Sequence, residues 1–177
     1  LFPERSYWHP KLLETAKQKN LKTVCIPNWE WFRADDSLWK WCDLFLCTSA
    51  FTERILNRLG YKNTAQVGTH PIHLGALQQR TIQGPAKTFI HNGGILDADD
   101  RKSTFETIKA FSRVKNPDLK LILRLQKETE LPSLDSRIDL RIGNIDDPAE
   151  LYKEGDVAIQ PSKMEGNGFS IIEAAAC

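Results

Sequence analysis

The feature that most constrains this chain is an alternation. Short apolar runs of strand length are separated by longer stretches with helical spacing, and the series occurs twice. In the first series Pro10 can open a helix over 10–19 with Leu12, Leu13 and Ala16 on one face, and residues 23–26 then make a buried strand that Pro27 ends. A second helix is expected near 36–42, then a strand over Leu44–Cys47, then a helix over 50–59 capped by Ser49 and stopped by Gly60. Phe51, Ile55, Leu56 and Leu59 would be its core face. The second series begins with a strand over 88–91 and the loop Asn92-Gly93-Gly94, followed by a helix whose start is marked by the capping box Ser103 and Glu106, with Phe105, Ile108 and Phe111 inward. Strands over 119–125 and Ile138–Ile142 come next, then a helix over 148–153 with Asp147 as cap, closed by Gly155, and a last strand over 157–160. Such an α/β alternation calls for parallel sheets covered on both faces, which take ligands at the carboxyl ends of their strands.

The stretch over 69–87, with Pro71, Gly75, Gly84 and Pro85, breaks both periods and reads as an interdomain linker. It leaves a first domain over 1–68 and a second over 88–177. Among the 177 residues, 41% are hydrophobic and 27% charged, which excludes a disordered chain, and a net charge of +1 leaves no footprint for nucleic acid. Cys25, Cys42, Cys47 and Cys177 lack paired metal-ligand spacing and suit reduced thiols in the cytoplasm. No apolar run approaches the length of an integral membrane segment, although peripheral membrane contact stays open. The start at Leu1, with neither a signal peptide's form nor a methionine, suggests a fragment.

The functional signal is concentrated in residues 163–177, KMEGNGFSIIEAAAC. Glu165 and Glu173 flank a Gly166-Asn167-Gly168 turn that leads from a buried strand into a helix beginning near Phe169. The glycines allow close backbone approach to a ligand, and the helix start favours an anion. Ile171, Ile172, Ala175 and Ala176 are expected to pack, leaving Glu173 as a lone charge that needs a hydroxyl or cationic partner. Arg101 and Lys102 precede the Ser103 helix just beyond Gly93 and Gly94, where two cations and helix-start amides would grip a pyrophosphate. The same pair also suits a solvated surface, and Asp97, Asp99 and Asp100 would oppose an anion if they turned inward.

The run HNGG, RKSTFETIKAF, LKLIL and GDVAIQPSKMEGNGFSIIEAAAC resembles the donor-binding domain of family 4 (group 1) retaining glycosyltransferases, which have the GT-B fold with two Rossmann-like domains. CTSAFTERILNRLGY is similar to the end of that family's acceptor domain. Compared with a complete member the chain looks truncated at both ends. The resemblance implies metal-independent transfer of a hexose, with retention, from a nucleotide diphosphate sugar to a glycan, lipid or small-molecule hydroxyl acceptor, without a cofactor. It places Glu173 on the donor ribose and Glu165 beside the donor sugar. Lys102 would lie on the diphosphate, and the amides of Asn167, Gly168, Phe169 and Ser170 would face the phosphates. Ile95 stands where the family usually carries an arginine after the first glycine turn, and Arg101 is the available substitute. His9 is a loose match to an acceptor-side histidine.

Two further patterns carry weaker signals. His70 and His73 have metal-like spacing but no third ligand near them in sequence, so they read as hinge or surface residues. Trp8, Trp29, Trp31, Trp39 and Trp41 suit core packing, with stacking against a sugar as the other use. Two other functions fit the same residues: a nucleotide-sugar-binding module without turnover, and a sugar-nucleotide epimerase, for which no convincing acid/base set is visible.

Overall fold

A computed structural model of the chain describes residues 10–29, 32, 35, 37–68, 75, 77 and 79–177. It divides into two compact units, Leu1–Pro71 and Ile72–Cys177. His9, Trp8, Trp31, Pro71, His70 and His73 lie outside the described residues.

In the first unit, helix α1 (Pro10–Gln18) is followed by strand β1 (Val24–Cys25), a 3-10 turn at Ser37–Trp41, β2 (Leu44–Cys47), α2 (Ala50–Arg58) and β3 (Thr64–Gln66). The three strands are parallel in the order β1-β2-β3. Ser49 caps α2 as the sequence predicts, its hydroxyl accepting from Thr52 N at 3.1 Å, and Gly60 ends the helix with φ +96°. The core gathers Leu13, Cys25, Trp39, Phe45 and Leu56, with Phe32 stacked on Trp39 at 4.6 Å. Tryptophan here fills the interior, since Trp39 is buried, while Trp29 packs edge-on against Phe51 at 5.3 Å. Cys25, Cys42 and Cys47 are buried free thiols, and burial, with the nearby Glu53 charge, pushes Cys47 up to about 11.

Several expectations for this unit need correction. The segment near 36–42 is a five-residue 3-10 turn. The strand at 23–26 shortens to two residues. Leu12 is exposed, and so are Phe51 and Leu59, while Thr52 and Leu56 are the buried edge of α2. The helix meets its sheet along a single i, i+4 row, which is narrower than the apolar stripe in the sequence.

The second unit holds β4 (Thr88–Gly94), α3 (Thr104–Arg113), β5 (Lys120–Leu125), β6 (Ile138–Ile142), a 3-10 turn at Pro148–Leu151, β7 (Val157–Ala158) and α4 (Phe169–Ala176). Its parallel sheet has the order β6-β5-β4-β7. The chain therefore winds outward from β4 through β5 to β6 and returns to add β7 on the other side of β4. That reversal is a topological switch point, and the crevice above the carboxyl ends of β4 and β7 is where such sheets bind ligands. Ile108 and Phe111 of α3 bury against Leu121, Leu123 and Leu125 of β5.

The elements here also depart from expectation in detail. The glycines of Asn92-Gly93-Gly94 belong to β4 itself, which continues to Gly94 across a register shift against β5. The 148–153 helix is a 3-10 turn capped by Asp147, whose carboxylate accepts from Ala149 N at 2.9 Å. Phe105 is exposed, and Thr104 and Thr107 take the buried positions on α3.

Candidate functional site

The capping box at the start of α3 does not form. Ser103 adopts a left-handed backbone, φ 56°, and its side chain makes no cap hydrogen bond. Asp100 takes that role from within the loop: its buried carboxylate accepts from Thr104 N at 2.7 Å and Phe105 N at 2.8 Å. The amides expected to face an anion are thus filled by the chain's own carboxylate, which satisfies the helix dipole internally. What this helix start offers to a ligand is its two cations.

Those cations converge on Glu165. Lys102 Nζ forms a short ion pair with Glu165 Oε1, and Arg101 Nη1 donates to Oε2 at 3.1 Å and to the carbonyl of Met164 at 2.8 Å. The backbone adds Lys163 N to Arg101 O at 2.8 Å, so the loops after β4 and β7 are tied together at the switch point. The three side chains are between 17% and 23% exposed, close enough to solvent to exchange partners. Burial pushes the Glu165 carboxyl up, but the Lys102 hydrogen bond, the Ser162 hydroxyl and the charges of Lys102 and Arg101 outweigh it and hold the group below the usual 4.5.

Beneath this cluster lies a residue that sequence reasoning passed over. His91 on β4 is fully buried, with Nδ1 2.9 Å from the carbonyl of Ile159 and Nε2 3.0 Å from Thr104 Oγ1. A carbonyl only accepts, so Nδ1 carries the proton and Nε2 receives the Thr104 hydroxyl. Burial keeps the ring below its usual 6.5 and neutral. Gly93 sits next to it, where a Cβ would fall 2.7 Å from Leu125 Cδ2 and 2.9 Å from Thr104 Oγ1, so the α3 start closes onto the strand only over glycine.

On the opposite face of the sheet, Glu173 has found the hydroxyl partner its isolation called for. Tyr152 directs its hydroxyl at Glu173 Oε2, 2.9 Å, and at the carbonyl of Ser170, 3.1 Å. Burial, and then the Glu173 carboxylate, push this phenol well above its usual range. The tie also sets the rotation of α4. Ala174 and Cys177 turn toward Ile90 and Ala158, while Ile171, Ile172 and Ala175 face outward, and no residue of α4 is fully buried, contrary to the packing expected of them. Gly168 begins the helix in the left-handed conformation, φ 63°, with half-buried Gly166 and Asn167 before it and Phe169 and Ser170 forming the first helical positions. Gly94 at the end of β4 also has positive φ, +66°, with open space where a Cβ would be.

Of the predicted site residues, then, Glu165, Lys102 and Arg101 meet directly, and Gly93 and Gly94 lie at the end of the neighbouring strand. Glu173 has a separate set of partners. Asp100, His91 and Tyr152 are additions. Only Asp100 left a sequence signal, as an acidic residue one turn before a helix. Among the described residues no group of three His, Cys, Asp or Glu side chains is arranged to hold a metal, and no helix is long and apolar enough to cross a membrane.

No protein-family model matches the chain, and no curated protein matches it in sequence. In structure it is similar to the apo form of the lipopolysaccharide outer core galactosyltransferase WaaB, with a TM-score of 0.65 and 11% identity, over 98% of this chain and 52% of that one. The chain therefore spans about half the length of this neighbour. At that identity the likeness speaks for the fold, which is GT-B-like, built of Rossmann-like parallel α/β units.

Proposed function

We propose that the second unit is the donor-binding part of a glycosyltransferase that takes a nucleotide diphosphate sugar. The observation that carries this reading is the meeting of Glu165, Lys102 and Arg101 at the sheet's switch point, with Glu173 held ready by Tyr152 on the adjoining helix. In the ligand-free protein Glu165 stores both cations at the strand ends. An arriving diphosphate, with more charge than one carboxylate, competes for them and is neutralised as it becomes the leaving group. Glu165 is then released toward the sugar. Glu173 accepts from the ribose hydroxyls, and the positive end of α4 over Gly166, Asn167, Gly168, Phe169 and Ser170 faces the phosphates. Residues 1–68 would belong to the acceptor side and 88–177 to the donor side. Metal independence, retention and transfer of a hexose, which rest on the family resemblance, and a cytoplasmic site of action, which rests on the reduced thiols, complete the proposal.

Calorimetric titration with uridine, guanosine, adenosine and thymidine diphosphate sugars tests it. One or more should bind, and Glu173→Ala should weaken that binding by roughly 1–3 kcal/mol through lost charge-assisted hydrogen bonds. An affinity that survives Glu173→Ala unchanged removes the ribose assignment. A second reading is a module that binds the donor without turnover, favoured by the stable internal pairing of Glu165 with Lys102 and Arg101. Binding without sugar transfer or hydrolysis would favour it.

A further inference from the structure

A row of polar side chains crosses the carboxyl end of the second sheet on one face. Arg141 on β6 is in register with Arg124 on β5, which is in register with Asn92 on β4. Continuing the β4 and β7 register past its last pair, Ile90 with Ala158, sets Gln160 beside Asn92. Neighbouring members of such a row stand about 4.8 Å apart and point the same way. The two halves of the row differ. Arg141 and the Arg124 head group are held by Glu154, and Arg124 also reaches the carbonyl of Glu150. Both amide atoms of Asn92, both of Gln160 and Nε of Arg124 are buried without a hydrogen-bond partner. Asn92 approaches the Tyr152 hydroxyl closely enough to ease its ionisation, but not in hydrogen-bonding geometry.

A buried polar group left unpaired is costly, and here five such atoms lie together beside Tyr152 and Glu173. α4, which is tied to Tyr152 through Ser170 and Glu173 and lies against Ile90 and Ala158 through Ala174 and Cys177, buries no residue fully and gives up little apolar contact if it lifts. The unpaired atoms also define what would satisfy them. Each primary amide offers a donor and an acceptor in one plane, and phosphate oxygens would leave the amide carbonyls unpaired. The edge of a nucleobase presents both at once, as when Asn or Gln pairs with adenine.

We propose that Asn92, Gln160 and Arg124 Nε read the edge of the donor's nucleobase, and so select the nucleotide. This rests on the donor reading above. The cations at the α3 start lie toward the other face of the sheet, so a nucleotide with its diphosphate there and its ribose on Glu173 carries its base onto this row.

The test uses Asn92→Leu and Gln160→Met, which keep size and remove the polar atoms. Their stability in denaturant should be unchanged or higher, because unpaired polar atoms are replaced by apolar ones. Affinity for the preferred nucleotide diphosphate sugar should fall roughly tenfold or more, with discrimination among bases lost, while inorganic pyrophosphate and ribose 5-phosphate bind as before. Asn92→Asp, which removes the donor and keeps the shape, should change the order of preference among bases. Wild-type affinity and base preference in all three variants overturn the proposal. So does an equal loss for nucleotide and pyrophosphate, which marks an effect through the fold, or a loss for ribose 5-phosphate, which assigns the row to sugar. If the wild-type chain binds pyrophosphate but no nucleotide, the donor reading itself falls.

Discussion

The two faces of the second sheet solve the problem of polar strand ends in opposite ways. On the α3 face the polar groups at the strand ends are matched from within the chain: Asp100 fills the helix-start amides, Glu165 holds Lys102 and Arg101, and His91 has a partner at each ring nitrogen. On the α4 face Tyr152 and Glu173 satisfy each other, but Asn92 and Gln160 beside them have no partner. A matched ionic cluster is stable alone and opens to a stronger anion, whereas unpaired amides mark what a neutral, planar group would complete. Under the donor-site proposal, charge recognition falls to one face and shape recognition to the other, with the glycine turn before α4 between them.

The largest effect that sharpens this contrast is expected from Glu165→Ala. Leaving Lys102 and Arg101 unpaired should cost about 1–3 kcal/mol in urea denaturation, less than for a fully buried pair because the side chains keep some exposure. The same substitution should raise affinity for inorganic pyrophosphate, since the internal competitor is gone. Weaker pyrophosphate binding would break the idea that the carboxylate stores the cations. Next comes Asp100→Ala, which removes two helix-start hydrogen bonds and should cost about 1–2 kcal/mol by the same measurement. Ser103→Ala should cost almost nothing, and a reversed order would restore the capping box. Tyr152→Phe should lose about 1 kcal/mol, with Glu173 left to solvent.

The smallest effect is in pH. Glu165 has a lowered carboxyl value, so its stabilisation is complete above the usual 4.5 and is lost as pH falls through its folded value. His91 is buried neutral with a lowered value, and its contribution is complete above 6.5 and lost as pH falls toward its folded value. Denaturation midpoints should therefore decline in two steps on acidification. Glu165→Gln should shrink the lower step, which it shares with Asp43, Asp135, Asp139, Glu154 and Asp156, whose carboxyls are also held low, and leave the upper one.

Much of this fold was legible because its strands are apolar runs cut off by turn residues. Leu44–Cys47 and Ile138–Ile142 are found where the sequence predicts them. β3 was not foreseen, since Thr64, Ala65 and Gln66 are too few and too polar to stand out, and pairing with β2 makes them a strand. Helix positions were readable, but helix rotations were not. Which face of α4 turns inward depends on Tyr152, far off in sequence, and the buried row of α2 depends on the sheet it meets. The cap of α3 was missed because Ser103 matches a local pattern, while Asp100 reaches the same amides only after the loop folds back. Within the candidate site, the residue types of Glu165, Lys102, Arg101 and Glu173 could be read directly. Their division into separate partnerships could not.

In the donor-site proposal this unit clamps a nucleotide diphosphate through Lys102 at one end and Glu173 at the other. Calorimetry of the preferred nucleotide diphosphate sugar against wild type, Lys102→Ala, Glu173→Ala and the double variant tests it in one series. Saturable binding by the wild type is expected. Lys102→Ala should lower affinity for both the nucleotide and pyrophosphate, and Glu173→Ala should lower it for the nucleotide alone. The absence of wild-type binding, or the same loss for both ligands in both variants, would contradict it.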